Sequence, residues 1–202
     1  AAGELIAETP QGGEVQAGIH FLGHYGVAKV AGLSVAFLSG RWREDLFSGS
    51  AAAPGETAPG AEAGTGPSWE ELRAAEKLAE IGRKELFVDG CHYTPLAVER
   101  LLEEIADSAG VDLLLTSEWP TGCLRGVPKE ARQDLDKAAL QRCSSQAVAE
   151  IAASAEPKYH AVGLASVFWR RPPWKHVHRG EVVQSTGELR CGACRMVALG
   201  AA

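Results

Sequence analysis

The chain has 202 residues, 46% of them apolar and 23% charged, and a formal net charge of −6. That is enough apolar material for the core of one domain. The acidic balance argues against a protein held on nucleic acid by bulk electrostatics alone, leaving only a local basic patch for such a partner. The longest uncharged apolar stretch, from Val30 to Gly40, is too short to span a bilayer.

The opening Ala1-Ala2-Gly3, with neither Met nor a charged-then-apolar leader, reads as the start of a fragment or processed product. Residues 1–13 read as loop, broken by Pro10 and Gly12-Gly13. Gly18 to Gly23 is a short strand. Val27 to Val30 and Leu33 to Gly40 form a β-hairpin about Ala31-Gly32, and the alternation of Leu33, Val35 and Phe37 predicts a half-buried second arm. His20 and His24 beside these strands read as structural. Ala, Gly and Pro dominate the low-complexity stretch that follows, which predicts a disordered surface insertion over 48–68. Ser68-Trp-Glu-Glu71 has the form of a capping box opening a helix to about Lys84, and Leu86 to Val88 is extended.

The clearest helix starts at Thr94-Pro95, with Thr as N-cap and Pro at the first helical position. Val98, Leu101, Leu102, Ile105, Ala106 and Ala109 share its apolar face, and Gly110 closes it. Glu99, Glu103, Glu104 and Asp107 form a solvated acidic face rather than a metal site. Val111 and Leu113 to Leu115 then read as a parallel strand buried on both faces. Chemistry in open α/β sheets collects beyond the carboxyl ends of such strands. Thr116, Ser117, Glu118 and Trp119 are therefore a site edge or a polar turn, and from the residues alone the turn is the better reading.

Lys129 to Gln141 reads as a polar helix. Ser144 or Ser145 caps another through Val148, Ile151, Ala152 and Ala155, stopped by Pro157. Tyr159 to Gly163 and Val167 to Arg170 read as strands around a turn, and Cys194 to Leu199 as one more. The five cysteines, odd in number and scattered, suit a reducing compartment better than a disulfide framework. Cys191 and Cys194 have the spacing of a zinc or redox pair, but no second pair accompanies them. Between Phe168 and Arg179 the cations Arg170, Arg171, Lys175 and Arg179 cluster with Trp169, Trp174 and His176. Arg forks and indole faces suit phosphate and unpaired bases, so the segment is a candidate RNA or partner contact. An edge strand with its arginines outward and its tryptophans packed inward is an equal alternative.

The order of the pieces resembles a known family. Leu113-Leu-Leu-Thr-Ser-Glu-Trp-Pro120 resembles the "LLTSxWP" segment of Cwf-nineteen-like splicing proteins, whose amino-terminal domain is related to the lariat-debranching enzyme and to calcineurin-like metallophosphoesterases. Ile19-His-Phe-Leu-Gly23 with Phe37-Leu-Ser-Gly40, Glu156-Pro-Lys-Tyr-His160 with Pro173-Trp-Lys-His176, and Cys194-Arg-Met-Val-Ala-Leu199 resemble further family segments in the same order. The resemblance covers most of the chain outside the insertion. It implies an α/β fold of metallophosphoesterase type, a layered β-sandwich flanked by helices, with 1–202 a partial domain lacking its first strands. It also implies a nuclear role in pre-mRNA splicing and intron-lariat turnover, with the debranching enzyme, post-splicing complex components or RNA as partners and no membrane.

The departures define the expected chemistry. The family's first metal-binding loops have no counterpart here, and neither does its carboxyl-terminal region with a histidine-triad-like fold. His176-Val-His178 aligns elsewhere and is not that triad. Ser117, Leu164 and Ser166 stand where the debranching enzyme carries metal-ligand histidines, so no catalysis, metal or cofactor is expected. His160 matches a family histidine and is expected to pack or to hydrogen-bond. Two other readings are a divergent metal-dependent phosphodiesterase using Glu118, Asp112 and His160, and a globular protein-interaction domain without an RNA link.

Overall fold

Apolar strands and capped helices build a mixed α/β fold in the computed structural model, which describes residues 12–43, 87–88, 91–182 and 189–200. For 87–88, 175–182 and 189–191 only the backbone path is described. The insertion expected over 48–68 and the helix expected over 68–84 lie outside the described residues, as do residues 1–11 of the expected amino-terminal loop.

In chain order the strands and helices begin with β1 (Gly13–Gln16) and β2 (Ile19–Phe21), an antiparallel pair. The expected loop over 1–13 therefore ends in a strand. Next comes the hairpin of β3 (Tyr25–Val30) and β4 (Leu33–Leu38). Its turn places Ala31 at φ 49° and Gly32 at φ 85°, the two left-handed residues of the turn type whose twist matches a two-residue hairpin. The expected half-buried second arm is corrected: every residue from Ser34 to Leu38 is buried. β4 is an inner strand, paired on one side with β3 and on the other with a parallel neighbour.

Short strands β5 (Phe87–Val88) and β6 (His92–Tyr93) pair antiparallel ahead of α1 (Pro95–Asp107). Thr94 caps α1 by accepting from the Ala97 N–H. The helix ends at Ser108, whose hydroxyl donates to the Ile105 carbonyl at 2.7 Å, and not at Gly110. Gly110, at φ 118°, instead turns the chain into β7 (Leu113–Thr116), so Ala109 is exposed and outside the helical face. Glu104 is not merely solvated: its carboxylate accepts from the Val27 N–H at 3.0 Å, satisfying a donor on the edge strand β3 and blunting that edge.

β8 (Trp119–Pro120) follows β7. The polar helix expected over 129–141 is broken into a 3-10 turn (Glu130–Arg132) and α2 (Lys137–Arg142), because the Asp136 carboxylate accepts from the Ala138 N–H and restarts the helix there. β9 (Ser144–Ser145) pairs with β8, and Ser145 caps α3 (Gln146–Ala155). β10 (Tyr159–Val162), β11 (Trp169–Arg170), β12 (Trp174–Val182) and β13 (Leu189–Ala198) complete the order. The last strand begins earlier than the expected Cys194 because it pairs with β12 along a long antiparallel ribbon.

The large sheet has seven strands in the order β11-β13-β10-β7-β4-β3, with β12 also on β13. β4, β7, β10 and β13 run parallel; β3, β11 and β12 flank them antiparallel. The expected parallel strand over 111–115 is β7, paired parallel on both sides, but burial on both faces is corrected: Leu114 and Thr116 are buried on the helix-covered face, while Leu113 and Leu115 on the other are half-buried. On one sheet face Ala36, Leu38 and Leu114 pack under α1 and α3 with Val98, Leu101 and Ile151. Farther along that face Val162 and Met196 pack with Trp119, Leu135, Leu140 and Trp169. The opposite face shows two cross-strand rows, Val35–Leu113–Tyr159–Arg195 and Phe37–Leu115–Ala161–Val197–Arg170. Besides the large sheet the described residues form three two-stranded sheets, β1-β2, β5-β6 and β8-β9.

Candidate functional site

The parallel strands deliver their carboxyl ends to one edge, where Ser39 follows β4, Ser117 follows β7 and Gly163 follows β10. A cavity of about 360 Å³ opens there, lined by Phe21, Phe37, Ser39, Ser117, Gly163 and Leu199 among others. Its hydroxyls are tied to the scaffold. Ser117 Oγ accepts from the Gly40 N–H at 3.2 Å, and Ser39 Oγ donates to the Gly23 carbonyl at 3.1 Å. The contribution of β2 and Ser39 to this wall had no signal in the sequence beyond the family-like segments that contain them.

Beyond β10 the loop is conformationally costly. Leu164 (φ 57°) and Ser166 (φ 46°) both adopt the left-handed region without being glycine, and the Ser166 N–H turns back on the Leu164 carbonyl. Such conformations persist only where the surroundings impose them. Both residues are exposed. A two-metal phosphoesterase centre needs several imidazole and carboxylate ligands around closely spaced ions. Among the described residues no group of three His, Cys, Asp or Glu side chains is placed to hold a metal ion. Ser117, Leu164 and Ser166 offer two neutral hydroxyls and an alkyl chain, poor substitutes for imidazole. Among the described residues these three side chains do not fit a metal pair.

Of the segment read as a site edge or polar turn, Ser117 is half-buried and lines the cavity, whereas its neighbours and His160, which could also border a site, are interior. Thr116, Glu118, Trp119 and His160 are all buried, and only Thr116 also lines the cavity. Glu118 Oε2 accepts from the Tyr93 hydroxyl and from the Trp42 N–H at 3.0 Å. Tyr93 in turn lies 2.7 Å from Ser145 Oγ, which extends the network to the cap of α3. Burial raises the Glu118 pKa, opposed by the bonds from Tyr93 and Trp42. Burial and the adjacent Glu118 carboxylate push the Tyr93 hydroxyl far above its ordinary value.

His160 has one defined tautomer. The Thr116 hydroxyl donates its proton to the Glu118 carbonyl at 2.7 Å, so the 2.9 Å contact with His160 requires imidazole Nε2 to donate. Nδ1 is then a bare acceptor, and it is buried without a partner. Burial lowers the His160 pKa to about 3. Asp112 lies at the opposite end of β7, where its carboxylate accepts from the Ser34 N–H and from Lys158 at 2.6 Å. The length of β7, roughly 13 Å of strand, separates it from Glu118. The structure does not bring these three together.

The 168–179 candidate divides by strand parity. Trp169 is buried, stacked on Trp119 with ring centroids 5.7 Å apart, and donates its indole N–H to the Ala131 carbonyl. Arg171 is spent on the carbonyls of Cys123, Arg125 and Pro172, with its guanidinium 4.3 Å from the half-buried Trp174 ring. Arg170 is exposed. Lys175, His176 and Arg179 lie on β12, and their side chains are outside the described residues. Cys194 is buried, with its thiol pushed up to about 12 by burial; the side chain of Cys191 is outside the described residues. Among the described residues no helix is long and apolar enough to cross a membrane.

No family model matches the chain. It is 30% identical over 101 residues to zinc finger CCCH domain-containing protein 64 of Arabidopsis thaliana, covering 50% of this chain and 16% of that protein. It is 32% identical over 115 residues to zinc finger CCCH domain-containing protein 59 of Oryza sativa subsp. japonica, covering 55% and 18%. CWF19-like protein 1 of Homo sapiens is 26% identical over 125 residues, covering 50% of this chain and 22% of that protein. The chain thus spans less than a quarter of the length of these curated relatives. The last similarity supports a CWF19-like relationship.

Proposed function

We propose that this chain is a non-catalytic, metallophosphoesterase-like domain acting in the nucleus, in pre-mRNA splicing and intron-lariat turnover, where it modulates lariat debranching by binding RNA or protein. The likeness to CWF19-like protein 1 over half the chain supports the splicing role. The ordered family-like segments from Ile19 to Leu199 support the phosphoesterase scaffold. The observation that carries the non-catalytic part is the chemistry beyond the strand ends. Ser117, Leu164 and Ser166 occupy the positions where the resembled enzyme has histidines, and one of the two hydroxyls is already bonded to the Gly40 N–H.

The enzymatic alternative needs Glu118, Asp112 and His160 in one site. Each is committed elsewhere: Glu118 to Tyr93 and Trp42, Asp112 to Ser34 and Lys158, His160 to Thr116. The partners of the non-catalytic domain are the debranching enzyme, components of the post-splicing complex, or the RNA itself. The test is the rate at which debranching enzyme opens branched RNA as this chain is titrated in. The expected result is a saturable change in rate. An unchanged rate, with neither enzyme nor branched RNA co-sedimenting with the chain, overturns the reading.

A further inference from the structure

The sheet face opposite the helices is graded in chemistry from one side to the other. Its first row runs from buried Val35 through half-buried Leu113 to Tyr159, 49% exposed, and ends at exposed Arg195. The second runs from buried Phe37 through Leu115, Ala161 and Val197 to exposed Arg170, and its first three residues also line the strand-end cavity beside Phe21 and Leu22 of the β2 side, which leaves the first row and the β13/β11 side as the accessible part of the face. Apolar and aromatic groups thus occupy the middle of the sheet, and both arginines stand along the β13/β11 side. The two rows contain no carboxylate, in a chain whose net charge is −6. The Arg195 guanidinium lies 5.9 Å from the Tyr159 ring centroid. A hollow of about 380 Å³ lies on this face, lined by Leu33, Leu113, Tyr159, Arg195 and Val197 among others, with one carboxylate, Asp112, at its wall. Lys158 stands at its margin, bridged to Asp112.

We propose that this open sheet face is a binding platform for single-stranded RNA, with bases laid on Tyr159 and its apolar neighbours and phosphates along Arg195 and Arg170. This rests on the reading above of an RNA-handling domain and moves the contact from the 168–179 ribbon to the sheet. A single strand carries its bases on one side and its charge on the other, and the face repeats that asymmetry. An apolar shelf accepts any base by stacking, whereas a one-sided cationic margin tracks the backbone. Duplex RNA keeps its bases stacked inside and cannot use Tyr159 in this way.

The experiment measures binding of an oligouridylate of about 10 nucleotides to the whole chain as a function of salt, beside duplex RNA and a peptide of alternating leucine and glutamate. Single-stranded RNA is expected to bind best. Tyr159→Ala should weaken it about tenfold or more, while Tyr159→Phe retains it. Arg170→Gln with Arg195→Gln should flatten the logarithmic salt slope by about 1.4, two phosphate contacts at roughly 0.7 each. Hydroxyl-radical oxidation of Tyr159 should be high in the free chain and fall when the oligonucleotide is added.

Equal affinity in all variants overturns the platform. Protection of Tyr159 in the free chain also does, because the face is then covered by the chain itself or by a second copy. Binding of the acidic peptide but not of RNA, with the same residue dependence, makes the face a polypeptide site. RNA binding that follows Tyr159 and the arginines, with no effect on debranching, leaves this inference standing and removes only the reading it rests on.

Discussion

His160 makes stability depend on pH in a direction that can be worked out. Its side chain is 1% exposed, donates through Nε2 to Thr116, and leaves Nδ1 buried without a partner. Burial lowers its pKa from 6.5 to about 3. Between those values the unfolded chain takes up a proton that the folded chain refuses, so stability rises with pH through this window and is complete above it. At about pH 5 the loss should be about 2 kcal/mol, or roughly 4–8 °C in melting temperature for a chain of this size. His160→Leu removes the titrating group, while Thr116 can still donate to the Glu118 carbonyl. Urea midpoints measured at about pH 7.5 and about pH 5 should show the wild type losing about 2 kcal/mol more than the variant. Glu118, whose raised pKa works in the opposite direction by losing stability as pH rises, is common to both proteins, as is His24, whose pKa burial lowers. Parallel losses in the two proteins would refute the buried, neutral imidazole.

Other perturbations test the interior. Tyr93→Phe removes a donor from the buried Glu118 carboxylate and should cost about 1–3 kcal/mol by urea denaturation. Trp169→Ala should cost about 3–5 kcal/mol, whereas Arg170→Gln one residue away should stay within about 0.5 kcal/mol; equal costs would contradict the inward and outward assignment of β11. Ala31→Asn places a residue tolerant of left-handed backbone at the first turn position of the β3–β4 hairpin and should raise stability by about 0.5–1 kcal/mol in thermal melts.

The features that the sequence revealed are local. Thr94-Pro95 and Ser145 mark helix starts because a cap and its N–H partner are at most three residues apart. The hairpin around Ala31-Gly32 was legible because its turn and both arms are contiguous. What stayed hidden depends on distant partners. Nothing near Glu118 announces that Tyr93 and the Trp42 amide will bury its carboxylate, so a polar residue after a strand read as a turn or a site edge. Trp169, Arg170 and Arg171 read equally as one cationic, aromatic surface and as an edge strand with tryptophans inward, because composition carries no direction; the second holds for Trp169 and Arg170. Period-two alternation along β11 is the signal behind that alternative, and it separates Trp169 from Arg170. That Arg171 would be absorbed by the 123–125 loop had no sequence signal. The break within 129–141 was partly readable, since Asp136 is a good N-cap, but the polar composition around it masked the restart.

The proposed domain has a phosphoesterase-like scaffold without its chemistry. The most direct measurement is hydrolysis of branched RNA and of bis-phosphodiester substrates by the purified chain, with manganese, iron or zinc added in turn. No turnover above buffer is expected with any of them, because Ser117, Leu164 and Ser166 supply no ligand set. Turnover that follows the chain through successive purification steps and requires one of these metals would contradict it.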